Sequence, residues 1–381
     1  MRKLLTILKN YFPTLEIHNF LDLTISMLKY VGFEIEDSYN GCLFYWLVVI
    51  NLTGATISSG ASIFSKPFDI EKITYGLPVV ASTLMIILKS IVLFINKDKI
   101  LMIMNELKSI NQEQGTNSSK MFTKFFYGYL LSLLSPLIVN IMTPIVKILV
   151  SGEKTFPLDM KFPVDVTNNF IYPLVLLWTY WNLINGFIIF FATDVLLYSF
   201  IRIISIEFET LQHSFENLNI SETSDELKTL ICHQNELYDA CIKLERIFSI
   251  TFFYKFIISS FVICFTAFQC STSSDTSKIL VNMTICIANF NQIGLQCFFG
   301  QMLKNASENV TNSIYNCQWE NSTNMNVKRL LIVCIARSNR HVALTTLKFS
   351  EITFEQLTYI LTSTYSYFTV LRQIYVNNKL D

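Results

Sequence analysis

The sequence predicts an all-α membrane protein with seven transmembrane helices, and three observations carry that expectation. Of 381 residues 51% are hydrophobic and only 15% charged, with 32 Phe and 17 Tyr, whereas soluble domains carry about 25% charged residues. Mean hydropathy is +0.42. Long intervals without Lys, Arg, Asp or Glu recur along the chain, and a charge at mid-bilayer costs on the order of 3 kcal/mol.

Seven such intervals can be drawn. They lie between Asp37 and Lys66, Lys72 and Lys89, Lys124 and Lys147, Asp165 and Asp194, Lys255 and Asp275, Lys278 and Lys304, and Glu355 and Arg372. Most exceed the roughly 20 residues a helix needs to cross. The second and seventh are shorter, and Lys89 and Arg372 can snorkel to an interface or face water. Pro78, Pro136, Pro144 and Pro173 fall inside or at the ends of spans, where each removes a helix hydrogen bond and can kink its helix; Pro173 also suits a first helical turn. Asp194 is the acid deepest in an apolar segment. An intramembrane carboxylate is functional or paired, and a structural hydrogen bond near the cytosolic end is the reading preferred here.

The connections near 63–73, 150–168 and 271–278 are short. Those near 96–122, 206–246 and 304–350 are longer, more charged and partly helical by pattern, with turns at 115–119 and 217–224. The N-terminal segment and the longer loops hold most of the Lys and Arg, which favours a cytosolic N-terminus and, with an odd span count, an extracellular C-terminus. This divides the chain into a cytosolic segment 1–38, spans one to four within 39–205, a helical loop 206–246, spans five and six within 247–304, a region 305–350, the seventh helix 351–376 and an extracellular tail 377–381.

Several classes are excluded. Zero net charge points to no nucleic-acid partner. The nine cysteines form no CxxC pair and imply no disulfide framework. The basic start loses its apolar core at Lys9, too soon for a signal peptide. The four His (18, 213, 233, 341) show no metal-ligand spacing, and no GxSxG, P-loop or GxGxxG occurs, so no metal, cofactor or catalytic residue is expected. The sequons at Asn51, Asn117, Asn219, Asn282, Asn305, Asn309 and Asn321 are read as chance matches in an Asn- and Ser-rich chain.

On a 3.6-residue helix Tyr367, Val370, Gln373 and Ile374 share a face. Pattern alone leaves two readings: these residues pack against neighbouring helices, or copies of them ring an axis as a dewetting gate. The run Thr364-Tyr365-Ser366-Tyr367-Phe368-Thr369-Val370-Leu371-Arg372-Gln373 resembles the closing helix of insect odorant receptors. The resemblance covers this helix and, more loosely, the seven-span plan. It implies a pore gate at Val370, with Gln373 and Tyr367 lining the path. Arg372 departs from the apolar residue of the family's co-receptor, which argues against a pore made of four copies of this chain.

The resemblance implies more. The short 206–246 loop is similar to that of tuning subunits, which pair with the shared odorant-receptor co-receptor in a heterotetramer in the plasma membrane of olfactory neurons. The expected function is an odorant-binding subunit of a ligand-gated non-selective cation channel; a gustatory-type channel or a G-protein-coupled chemoreceptor is the alternative. A cytosolic anchor between subunits falls on 326–342, through Leu330, Leu331, Val333 and Cys334, although the same pattern suits an amphipathic helix on anionic lipid. The odorant pocket falls in the outer half of the bundle, on Val79, Val80 and Thr83 of span two, Ser135, Ile138 and Met142 of span three, Tyr172, Trp178 and Asn182 of span four, and Asn282, Met283 and Cys286 of span six. Such a pocket is mostly apolar, and burial at roughly 25 cal/mol per Å2 suffices for micromolar binding of a small volatile. Aromatics at these positions equally suit simple packing or interface anchoring.

Overall fold

A computed structural model describes residues 17–34, 39–64, 70–110, 116–162, 166, 168–218, 224–317, 319 and 324–380. Most of the segment 1–38 and the turns near 115 and 219–223 therefore lie outside the described residues. Among those described are ten helices and one hairpin. The helices are α1 (Ile17–Tyr30), α2 (Tyr39–Ile63), α3 (Ile70–Ile95), α4 (Lys97–Ile110), α5 (Thr116–Ser151), α6 (Ile171–Glu216), α7 (Ser224–Thr272), α8 (Thr276–Asn316), α9 (Met325–Ser338) and α10 (Phe354–Leu380). The hairpin strands β1 (Thr345–Thr346) and β2 (Ser350–Glu351) pair antiparallel, Thr345 opposite Glu351.

Helices α2, α3, α5, α6, α7, α8 and α10 occupy the seven charge-poor intervals. Five of them, all but α8 and α10, contain a stretch long and apolar enough to cross a membrane. α8 is diluted by Asn289, Asn291, Gln292 and Gln296, and α10 by its Thr, Ser and Gln residues. α6, α7 and α8 run 46, 49 and 41 residues, far beyond the roughly 20 that a bilayer requires, so each continues past the apolar slab.

α6 is the axis. Every residue from Phe191 to Phe208 is buried, the signature of a helix surrounded on all sides. Phe191 stacks on Phe187 and Tyr129, and Phe299 of α8 stacks on Tyr198 at 4.8 Å. α1 closes the same core, with Phe20 against Phe122 and Phe126 of α5.

Local chemistry shapes the rest. Pro136 cannot donate to the Ser132 carbonyl, and the Ser135 hydroxyl takes that acceptor at 3.0 Å, so α5 continues through its proline. The 151–170 connection is stitched to α2: Ser58 Oγ donates to the Lys161 carbonyl at 2.8 Å and Ser62 Oγ to the Asp159 carbonyl at 2.9 Å. α8 starts where the Asp275 carboxylate accepts from the Ser277 amide at 2.9 Å, an N-cap. The hairpin turns through Leu347 and Lys348, both at positive φ, a costly conformation for side chains with a Cβ. Its exit passes so close to α8 that a Cβ on Gly300 would collide with the Ile352 carbonyl.

Candidate functional site

α10 presents two dissimilar faces. Ile360 and Thr364 are buried, and Phe368, Leu371 and Tyr375 half-buried, a stripe of spacing three and four that seats the helix on α7 and α8. Tyr367 stacks on Phe261 of α7 at 6.3 Å, and Tyr375 meets Phe268 edge-on at 5.4 Å. The opposite stripe, Thr358, Thr362, Ser366, Thr369 and Gln373, is exposed. Its hydroxyls donate back into their own helix, as Thr362 does to the Thr358 carbonyl at 2.9 Å and Thr369 to the Ser366 carbonyl at 2.8 Å. Of the residues read from the sequence as a gate, Val370 is 56% exposed and Tyr367 51%, and Gln373 is exposed beside them.

At the centre of the bundle Asp194 gathers four helices around α6. Its carboxylate receives Lys89 of α3 at 2.6 Å, Lys255 of α7 at 3.3 Å, the Tyr129 hydroxyl of α5 at 2.6 Å and the Gln292 amide of α8 at 2.7 Å. Lys89 is buried here, not snorkelling to an interface as the sequence had suggested; its opposite charge lay 105 residues away. Asp194, expected to make a structural hydrogen bond near the cytosolic end, lies midway along α6 with two lysines among its partners.

The bundle end that carries the 151–170 connection holds a cavity of about 540 Å3, bordered by Tyr75, Asn140, Lys147, Phe156, Lys278 and Val281 among others. None of the twelve pocket positions read from the sequence lines it. Val79, Val80, Thr83, Ser135 and Cys286 are half-buried between helices. Ile138, Met142 and Met283 are about half exposed on the outer surface of the chain, at 53%, 47% and 48%. Tyr172 donates to the Thr155 carbonyl at 2.7 Å. Trp178 donates to Asn51 at 3.1 Å and lies edge-on to Phe162, which engages that sequon inside the bundle. Asn182 and Asn282 are buried and bonded to carbonyls of their own helices. The sequence does signal the cavity: Lys147 and Lys278, which end two charge-free intervals, both border it.

In the anchor region Leu331 and Cys334 are buried against their own chain, with Gln234 of α7 accepting from the Cys334 thiol at 3.1 Å and donating to Ser338 at 2.6 Å. Leu330 is half-buried, while Val333 and its neighbour Ile332 are 66% and 54% exposed. Beside this region Glu351 of β2 receives Lys304 at 2.8 Å and His341 at 3.2 Å. The Lys304 bond holds the Glu351 carboxyl below its ordinary range against the opposing effect of burial, with His341 adding to it.

A long-helix bundle around a buried axis, with five strongly apolar crossings, defines a multi-pass membrane protein of the seven-helix receptor class. The profile of the 7tm Odorant receptor family matches residues 69–365, and the chain belongs to that insect odorant receptor family. Its fold superposes on the insect olfactory receptor OR5 of Machilis hrabei in complex with eugenol at a TM-score of 0.83, with 14% identity and coverage of 94% of this chain and 98% of that one. Drosophila melanogaster relatives include Odorant receptor 85b, 28% identical over 48% of each chain. Odorant receptor 85c is 28% identical over 61% of this chain and 60% of that one. The chain thus spans about half to three fifths of the length of these curated relatives.

Proposed function

We propose that this chain is the odorant-binding tuning subunit of a heteromeric, ligand-gated, non-selective cation channel. The observation that carries the reading is the exposed stripe of hydroxyl and amide groups on α10. A polar face on an otherwise seated membrane helix belongs against water or other protein, because hydrocarbon offers it no partners. Gathered around an axis with helices of partner subunits, this face makes a hydrated path, with Val370 as its apolar constriction and Tyr367 and Gln373 beside it. Arg372 disfavours four identical copies, which supports partnership with the odorant-receptor co-receptor. In this reading the N-terminus is cytosolic, the exposed Val333 edge of α9 faces the neighbouring subunit, and the assembly sits in the plasma membrane of a sensory neuron.

The ligand is a small volatile molecule, mostly apolar, bound in the outer half of the bundle. The family fold and the eugenol complex of the Machilis receptor support that class. The test is current recording from cells expressing this chain with the co-receptor during a screen of volatiles. Val370→Ala is expected to alter ion permeability ratios or leak current; unchanged permeation would remove Val370 from the gate. Trp178→Ala is expected to shift the agonist concentration for half-activation by about tenfold, the equivalent of 1.4 kcal/mol, with permeability ratios unaltered.

A further inference from the structure

The cavity of about 540 Å3 at the end of the bundle falls within the range of about 300–1,000 Å3 usual for small-molecule sites. Its helical walls are inward stripes. α5 contributes Asn140, Thr143 and Lys147, spaced by three and four, and α8 contributes Ser277, Lys278 and Val281. All six are buried or half-buried. Ile138, Met142 and Val146, on the outer surface of α5, do not border it. The space therefore lies between helices and not on the face turned to acyl chains.

The 151–170 connection supplies an apolar wall, Phe156, Leu158 and Met160, with Phe156 held against Phe162 at 5.7 Å and Tyr172 at 5.1 Å. The charges are segregated by shelter. Lys154 and Asp159 of the connection are exposed and offset each other at the rim. Lys147 and Lys278 are half-buried, and the contacts of each ammonium join two elements that bound the space. Lys147 Nζ lies 3.4 Å from Asp275 at the start of α8, and Lys278 Nζ stands 5.8 Å from the ring centroid of Tyr75 on α3. Asp275 also accepts from the Ser277 amide with its other oxygen. Among the described residues, the sheltered part thus carries two ammonium groups and one carboxylate.

We propose that this cavity takes a small carboxylic acid in its ionised form, the carboxylate received by Lys147 and Lys278 and a short hydrocarbon tail laid on Phe156, Leu158 and Met160. An ammonium carries three donors, so Lys147 can hold Asp275 and the ligand together. Charge-assisted bonds of this kind are about twice as strong as neutral ones. An alcohol or ester of the same length fills the same volume, yet displaces water from both lysines without returning a counter-charge. A cation meets net repulsion. The anionic headgroup of a lipid shares the carboxylate's chemistry, but the inward stripes favour a free acid. The inference rests on the odorant-binding role proposed above and narrows its ligand to small organic acids.

The experiment measures displacement of radiolabelled hexanoate from the full-length chain in phosphatidylcholine nanodiscs, with empty nanodiscs as the blank. Unlabelled hexanoate is expected to compete about tenfold better, or more, than hexan-1-ol or methyl hexanoate. Lys147→Met and Lys278→Met are each expected to weaken hexanoate binding by about tenfold with the unfolding midpoint unchanged. Lys278→Arg, which keeps the charge, is expected to retain binding, and Lys161→Met, at an exposed position outside the cavity, to alter nothing. Equal competition by acid and alcohol, or hexanoate affinity unchanged in both methionine variants, would overturn the proposal. So would abolition of hexanoate binding in discs containing phosphatidylglycerol, which would give the site to lipid. Currents from the chain co-expressed with the co-receptor separate this inference from the channel reading. Hexanoate held by the two lysines without evoked current refutes the channel role alone. Currents evoked by neutral volatiles, with no preference for hexanoate in binding, refute the acid site alone.

Discussion

α6 and α10 are both long enough to cross a bilayer, yet they are packed in opposite ways. α6 is enclosed from Phe191 to Phe208 and tied through Asp194 to α3, α5, α7 and α8. α10 touches its own chain along one stripe, anchored by Ile360 and Thr364, and leaves Thr362, Ser366, Thr369, Val370 and Gln373 uncovered. The contrast assigns rigidity to the first helix and freedom to the second. A helix held by four polar contacts inside an apolar core has few alternative positions. One seated by a single stripe can tilt or turn by breaking few contacts.

The contrast can be broken most directly at Asp194. Asp194→Leu leaves Lys89 and Lys255 buried without a counter-charge, so a loss of about 3–5 kcal/mol is expected, read as a collapse of the unfolding midpoint and of surface expression. A variant of normal stability would mean that charge does not fix the axis. A smaller loss is expected at the root of α10. Gly300→Val drives a side chain into the Ile352 carbonyl, an overpacking cost of about 1–3 kcal/mol, with hydrogen exchange accelerated across 344–356 and the α6 amides unaffected. Acceleration spread evenly through α6 would show that the two helices do not move independently.

The least effect concerns pH. The folded Glu351 carboxyl titrates below its ordinary range because of Lys304. Its contribution is therefore present above the unfolded value of roughly 4.3 and is lost as pH falls through the lower folded value. Glu351 is 40% exposed, which limits the contribution to under about 1 kcal/mol. Amide protection in the hairpin should stay flat from about pH 8 to 5 and fall below about pH 4, and Glu351→Gln should remove that step.

The number and order of the crossings were legible because each lies in a charge-poor interval. What misled was the use of single charges as boundaries. Lys89, Asp194 and Lys255 each close one interval, and the second reads as too short for that reason. In the fold α3 continues to Ile95 and α6 to Glu216, because the Asp194 carboxylate pairs with both lysines inside the bundle. A one-dimensional pattern cannot show such a meeting between residues 105 and 61 positions apart. The face of α10 was legible for a complementary reason: it depends on spacing within one helix. The cavity was harder to read, since its walls come from α2, α3, α5, α8 and the 151–170 connection, and helical stripes on each span give no relative rotation.

The back-bonded hydroxyls of α10 bear on biosynthesis. A nascent helix leaving the translocon meets acyl chains before it meets its neighbours. Thr358, Thr362, Ser366 and Thr369 carry their protons on carbonyls of their own helix, so none of these donors is stranded during that interval. The same residues thus let a sparsely apolar segment wait in lipid until its neighbours arrive.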